Sequence, residues 1–113
     1  MNNYPIYLKG VIVPKEKKEI NELIPIARVL TGYKFNEYGI YYGWGKSPLD
    51  LSYHRTLIII QPSGELYIHI LREYNSRFHS IDLIISGFIE TELSIEKQIK
   101  YINTQITSEL IFV

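Results

Sequence analysis

Lys15-Glu16-Lys17-Lys18-Glu19-Ile20-Asn21-Glu22-Leu23-Ile24-Pro25-Ile26-Ala27-Arg28-Val29-Leu30 is the stretch on which the fold turns. Its apolar residues fall at Ile20, Leu23, Ile24, Ala27 and Leu30, the spacing of one helical face. Lys15, Lys17 and Lys18 interleave with Glu16, Glu19 and Glu22, as on a solvated helix surface. Pro25 has no N–H to give the carbonyl of Asn21, so it kinks this helix or starts a second short one. Gly32 is the expected stop. A helix here makes the chain α+β.

Working outward, Ile6-Tyr7-Leu8 and Val11-Ile12-Val13 read as a first strand, with Gly10 as a bulge and Pro14 as its end. Tyr38 to Gly45 reads as a second. His54 to Tyr74 reads as a β-hairpin turning at Pro62-Ser63-Gly64-Glu65. Ile81 to Ser86 reads as a further strand closed or bulged by Gly87, a buried helix being the competing reading. Ser94 is a good N-cap for a helix to about Gln105, with Ile95, Ile99, Ile102 and Ile106 on one face. Leu110 to Val113 completes the set as a last strand. The order βαβββ(β)αβ predicts a mostly antiparallel sheet of five to six strands with two helices packed on one face. The 113 residues, 1–113, fit one globular domain.

Composition narrows the functions. With 46% hydrophobic and 21% charged residues, the chain belongs to the folded class. Twelve basic and twelve acidic residues leave no net charge, which disfavours a general nucleic-acid coat. There is no cysteine, hence no disulfide framework or thiolate chemistry. No signal peptide and no apolar run of membrane length is visible, so a cytoplasmic protein is expected.

Two features could carry chemistry. With the hairpin turning at Ser63-Gly64, Ile60 faces Tyr67, Ile58 faces His69 and His54 faces Glu73. That register puts Leu57 and Ile59 on the core side, opposite Ile70 and Ile68. His54, His69 and Glu73 then share one sheet face, a set suited to acid–base work in a small nuclease or nucleotide-processing enzyme, with His79 and Tyr67 nearby. His69 lies four residues along the strand from Glu73, roughly 13 Å, so the three do not converge as metal ligands must. No metal site and no cofactor is expected. A cross-strand His54–Glu73 ion pair explains the same residues without catalysis.

The second feature is the strand in which Tyr38, Ile40, Tyr42 and Trp44 alternate with Gly39, Tyr41, Gly43 and Gly45. One side is aromatic and the other nearly bare backbone, which invites close approach by another element, such as a helix. Exposed tyrosine and tryptophan dominate protein interfaces, whereas single-strand binders also need a cationic groove. Gly45-Lys46-Ser47 lacks the earlier glycine of a phosphate loop. The expectation is a non-catalytic protein-binding module acting through Tyr38, Tyr42, Trp44, Tyr67 and Arg55. Inhibitors, immunity proteins and anti-defence accessory proteins of phages, viruses or mobile elements are of this kind. The alternatives are the His54/His69/Glu73 enzyme and a nucleic-acid or nucleotide binder without chemistry. A homo-oligomer through an exposed sheet face or edge is also expected.

Overall fold

A computed structural model describes residues 4–20, 24–48, 51–70 and 80–102. Six strands run through them: β1 (Ile6–Ile20), β2 (Ile24–Leu30), β3 (Gly39–Lys46), β4 (His54–Ile60), β5 (Leu66–Ile70) and β6 (Ser80–Glu90). They hydrogen-bond in the order β1-β2-β5-β4-β3-β6, and β6 returns to β1 to close the sheet. Every neighbouring pair is antiparallel. One short helix, α1, begins at residue 95 and is described to residue 102. The architecture of the described residues is a six-stranded closed barrel with one helix, which overturns the expected α+β sheet carrying two helices on one face.

The correction lies in residues 15–30. Pro14 does not end β1, which runs on to Ile20, and the remainder forms its hairpin partner β2. Two local features favour the strand. Pro25 is unfit for a helix interior, and Ile24, Ile26 and Val29 are β-branched. Alternation then places Ala27 and Val29 in the core while Leu30 is 50% exposed, although helical spacing had put Ala27 and Leu30 on one buried face. Pro14 lies where the β1–β2 register breaks, five steps from Val13 to Lys18 facing only two from Arg28 to Ile26. A residue without an N–H is tolerated at such a break. Gly10 sits in an unbroken register with Ile81 and is not a bulge. A Cβ there would lie 2.3 Å from Val29 Cγ1, so the glycine admits the neighbouring strand.

The hairpin forms with its turn where expected, but its register is shifted by one residue. Ile60 pairs with Leu66, Ile59 with Tyr67, Ile58 with Ile68 and Leu57 with His69. The loop holds three residues, because the Gly64 N–H donates to the Gln61 carbonyl (2.8 Å) and the Gln61 N–H to the Glu65 carbonyl (2.9 Å). Pro62 supplies the φ of the first turn position, and Gly64, at φ 91°, takes the left-handed position that follows a type I turn. A slip of one residue exchanges the faces that paired side chains share. Ile58 and Ile60 therefore face inward with Leu66 and Ile68, while Leu57 and Ile59 lie outside with Tyr67.

Two apolar clusters follow from that alternation. The barrel interior holds Leu8, Ile12, Ala27, Val29, Tyr41, Ile58, Ile60, Leu66, Ile68, Ile81, Leu83 and Ile85, filling it with side chains as expected for so few strands. Outside the wall, Ile40, Leu57, Ile59 and Tyr67 are covered by Ile99 and Ile102 of α1, with Leu93 and Ile89. Residues 57–60 are thus buried on both sides, which accounts for their unbroken apolar run. Ser94 caps α1 as expected: its Oγ accepts from the Lys97 N–H (3.3 Å) and its carbonyl from the Gln98 N–H (3.1 Å). Lys97 lies 3.9 Å from both Glu90 and Glu92, and the Tyr101 hydroxyl donates to Glu90, tying α1 to the end of β6.

The strand expected over Ile81–Ser86 forms as part of β6, and Gly87 lies beside one of two register shifts between β3 and β6. The expected end of the helix near Gln105 and the strand Leu110 to Val113 lie outside the described residues. Among the described residues, no helix is long and apolar enough to cross a membrane.

Candidate functional site

β3 carries the most distinctive sequence pattern, and barrel closure decides what its two sides meet. Tyr41, Gly43 and Gly45 face inward. A Cβ on Gly43 would lie 1.9 Å from the Ile84 carbonyl oxygen, and one on Gly45 would lie 2.8 Å from Thr56 Oγ1. The glycine side therefore admits β6 and the barrel contents, and among the described residues no helix packs on it. Tyr41 is fully buried there, edge-on to Phe88 at 5.3 Å. Burial pushes its hydroxyl well above the ordinary tyrosine range, and Tyr4 and Glu37 add to the effect.

The other side of β3 faces out. Ile40 is lost beneath α1, whereas Tyr42 and Trp44 stand outside the cluster that α1 covers and are half-buried. Trp44 pairs with Arg55 on β4 and with Ile84 on β6, and Ile84 pairs with Tyr7 on β1. A row Arg55–Trp44–Ile84–Tyr7 thus crosses four strands, ending on a tyrosine that is 70% exposed. The Arg55 guanidinium lies 5.0 Å from the Trp44 ring centre and 5.7 Å from that of Tyr42, within cation–π range of both. Its Nε is shut off from solvent and has no acceptor among the described residues. Tyr42 is seated over Gly87, where a Cβ would lie 2.5 Å from its hydroxyl oxygen and 2.6 Å from its ring.

A second row runs beside the first. Asp82 on β6 pairs with Lys46 on β3 and with Lys9 on β1, and its carboxylate is 4.0 Å from Lys46 Nζ. Lys46 also lies 5.5 Å from the Tyr53 ring centre. Past Lys9 and Asp82 opens a cleft of about 470 Å³, lined further by Val11, Leu30, Thr31 and Pro48.

No protein-family model matches this chain, and no curated protein matches it in sequence. The reading of its surface rests on geometry.

The residues singled out from sequence are divided by the barrel wall. Tyr42, Trp44 and Arg55 meet on one outer face. Tyr38 is exposed in the segment before β3. Tyr67 is only 3% exposed, held beneath α1 with its hydroxyl donating to Glu65 Oε2 at 2.9 Å. His69 pairs with Leu57 on the outer side, whereas His54 begins β4 on the barrel-facing side with Thr56, whose hydroxyl donates to the His54 carbonyl. The two histidines therefore lie on opposite sides of the wall. Glu73 and His79 lie outside the described residues. Among the described residues, no three histidine, aspartate or glutamate side chains are placed to hold a metal ion.

Sequence reasoning missed Tyr7, Ile84 and Lys9. Tyr7 and Lys9 alternate with Ile6, Leu8 and Gly10, a signal of one outward face. What could not be read was that β1 lies two strands from β3, because that proximity arises only on closure.

Proposed function

We propose that the chain is a non-catalytic protein-binding module whose contact surface is the outer row Arg55–Trp44–Ile84–Tyr7, with Tyr42 beside it. The observation that carries this reading is the cross-strand alignment of two large aromatic side chains, an isoleucine and an aromatic-stacked arginine on one rigid wall. Tryptophan, tyrosine and arginine are the residue types that dominate binding hot spots. A barrel wall holds them at little further entropic cost on binding. The interior is packed with side chains and leaves the outer surface as the place for recognition. Small inhibitors, immunity proteins and anti-defence proteins act through surfaces of this sort, and a cytoplasmic setting accords with a chain that has no cysteine.

The test compares the wild-type protein with Trp44→Ala and Tyr7→Ala in affinity capture from the native host. The expected result is one dominant protein captured by the wild type and lost from both variants, with thermal melts showing that both remain folded. Capture of the same proteins by folded variants would remove the basis for this reading.

A further inference from the structure

The partner's chemistry can be narrowed from the charges on this face, provided that the protein-binding reading above holds. Among the described residues of the two rows, Arg55 is the cation with no carboxylate opposite it. Its neighbour on β3 is Trp44, the rings beside it are Trp44 and Tyr42, and no described residue accepts from its Nε. Asp82 stands between Lys46 and Lys9 in the strand register, so the described residues of the two rows carry three cations and one carboxylate although the whole chain is neutral. The surplus is local, and the aromatic rings hold the arginine fork in place. A preoriented guanidinium matches a carboxylate through paired hydrogen bonds.

A nucleic-acid strand fits less well. Phosphates recur at every nucleotide, and a strand laid along the charged row would bring one against Asp82. An acidic protein segment needs only one carboxylate at Arg55, with apolar neighbours along Trp44, Ile84 and Tyr7. The adjoining cleft between Lys9 and Leu30 gives a following side chain room.

We propose that this face docks an acidic segment of a partner protein, seating a carboxylate on Arg55 and an apolar side chain along Trp44–Ile84–Tyr7. Trp44 is the sole tryptophan of the chain, so its emission reports directly on the site.

The experiment selects binders from a displayed library of random peptides on the whole protein, then titrates the synthesised peptides while following Trp44 emission. The expected result is enrichment of peptides with aspartate or glutamate beside an apolar residue. Their binding should change Trp44 emission and weaken with salt. It should fall about tenfold or more in Arg55→Gln, a loss that removing a charge-assisted hydrogen bond readily produces. Lys9→Glu, at an exposed position that tolerates substitution, should weaken it several-fold, mainly through slower association. Enriched peptides that lack acidic residues and depend on Tyr7 but not on Arg55 would overturn this inference and leave the protein-binding reading standing. Peptides indifferent to both residues, or tight binding of oligothymidine in their place, would overturn both. Arg55-dependent self-association in light scattering would assign the face to a second copy of the chain, and would likewise overturn the acidic-partner inference.

Discussion

Gly43→Ala tests whether β3 and β6 meet, which is the contact that brings the outer row together. An added Cβ would sit 1.9 Å from the Ile84 carbonyl oxygen, 3.0 Å from the carbonyl carbon and 3.1 Å from Ile58 Cδ1. Two of those atoms are backbone of the adjacent strand and cannot swing aside. To regain ordinary contact, that oxygen must retreat by about 1.5 Å. Neighbouring strands stand only about 4.8 Å apart, so such a retreat strains the ladder on both sides of Gly43. Overpacking costs about 1–3 kcal/mol, and one or two weakened ladder hydrogen bonds add about 1 kcal/mol each. The expected loss is about 3–4 kcal/mol, which lowers the midpoint of thermal unfolding by about 12–16 °C in a domain of this size. Gly32→Ala is the matched control, because nothing lies within 4 Å of its Cβ position. It should stay within about 0.5 kcal/mol of wild type. Urea titrations and thermal melts of the three proteins make the measurement. If Gly43→Ala cost less than about 1 kcal/mol, β3 and β6 would not be in contact there, and the row that joins Trp44 to Tyr7 would lose its basis.

Two further outcomes follow from buried and capping groups. Tyr41 keeps its proton in the folded state to higher pH than in the unfolded chain, where it titrates near 10. Its contribution to stability is therefore full below about pH 10 and is lost as pH rises beyond that, at up to about 1.4 kcal/mol per unit. Urea midpoints taken on either side of that pH should fall more steeply for wild type than for Tyr41→Phe, and equal slopes would contradict the assignment. Ser94→Ala removes the acceptor for the Lys97 N–H and should cost about 1 kcal/mol. Amide exchange should then quicken in α1 while β6 stays protected, and unchanged protection in α1 would show that the cap does not hold the helix.

Part of the architecture was legible because it is local. Ser94 announced a helix start with its own hydroxyl. Gly39 to Lys46, Leu66 to Ile70 and Ser80 to Glu90 form strands where β-branched and aromatic residues cluster between turn signals. The hairpin turn was legible too, but its register was not read correctly. Pro62 and Gly64 already specified a type I turn followed by a left-handed residue, which makes a three-residue loop. Counting a two-residue loop moved His69 onto the side of Ile58 and sent Leu57 and Ile59 to the core face opposite Ile68, the reverse of the faces found.

The stretch from Lys15 to Leu30 was decided elsewhere. Its apolar spacing satisfied a helix, yet β2 is required between β1 and β5 if the sheet is to close. Closure is a non-local gain: it removes every edge of the six strands and buries both sides of Leu57 to Ile60. No window of sequence reports such a gain, so tertiary pairing overrode local periodicity. The same holds for the binding face. Composition and alternation alone determined that β3 would show aromatic rings on one side and glycine on the other. That the glycine side faces the barrel, that α1 hides Tyr67, and that Tyr7 and Lys9 come to lie beside Trp44 depend on closing a sheet across residues far apart in the chain, which only the tertiary structure decides.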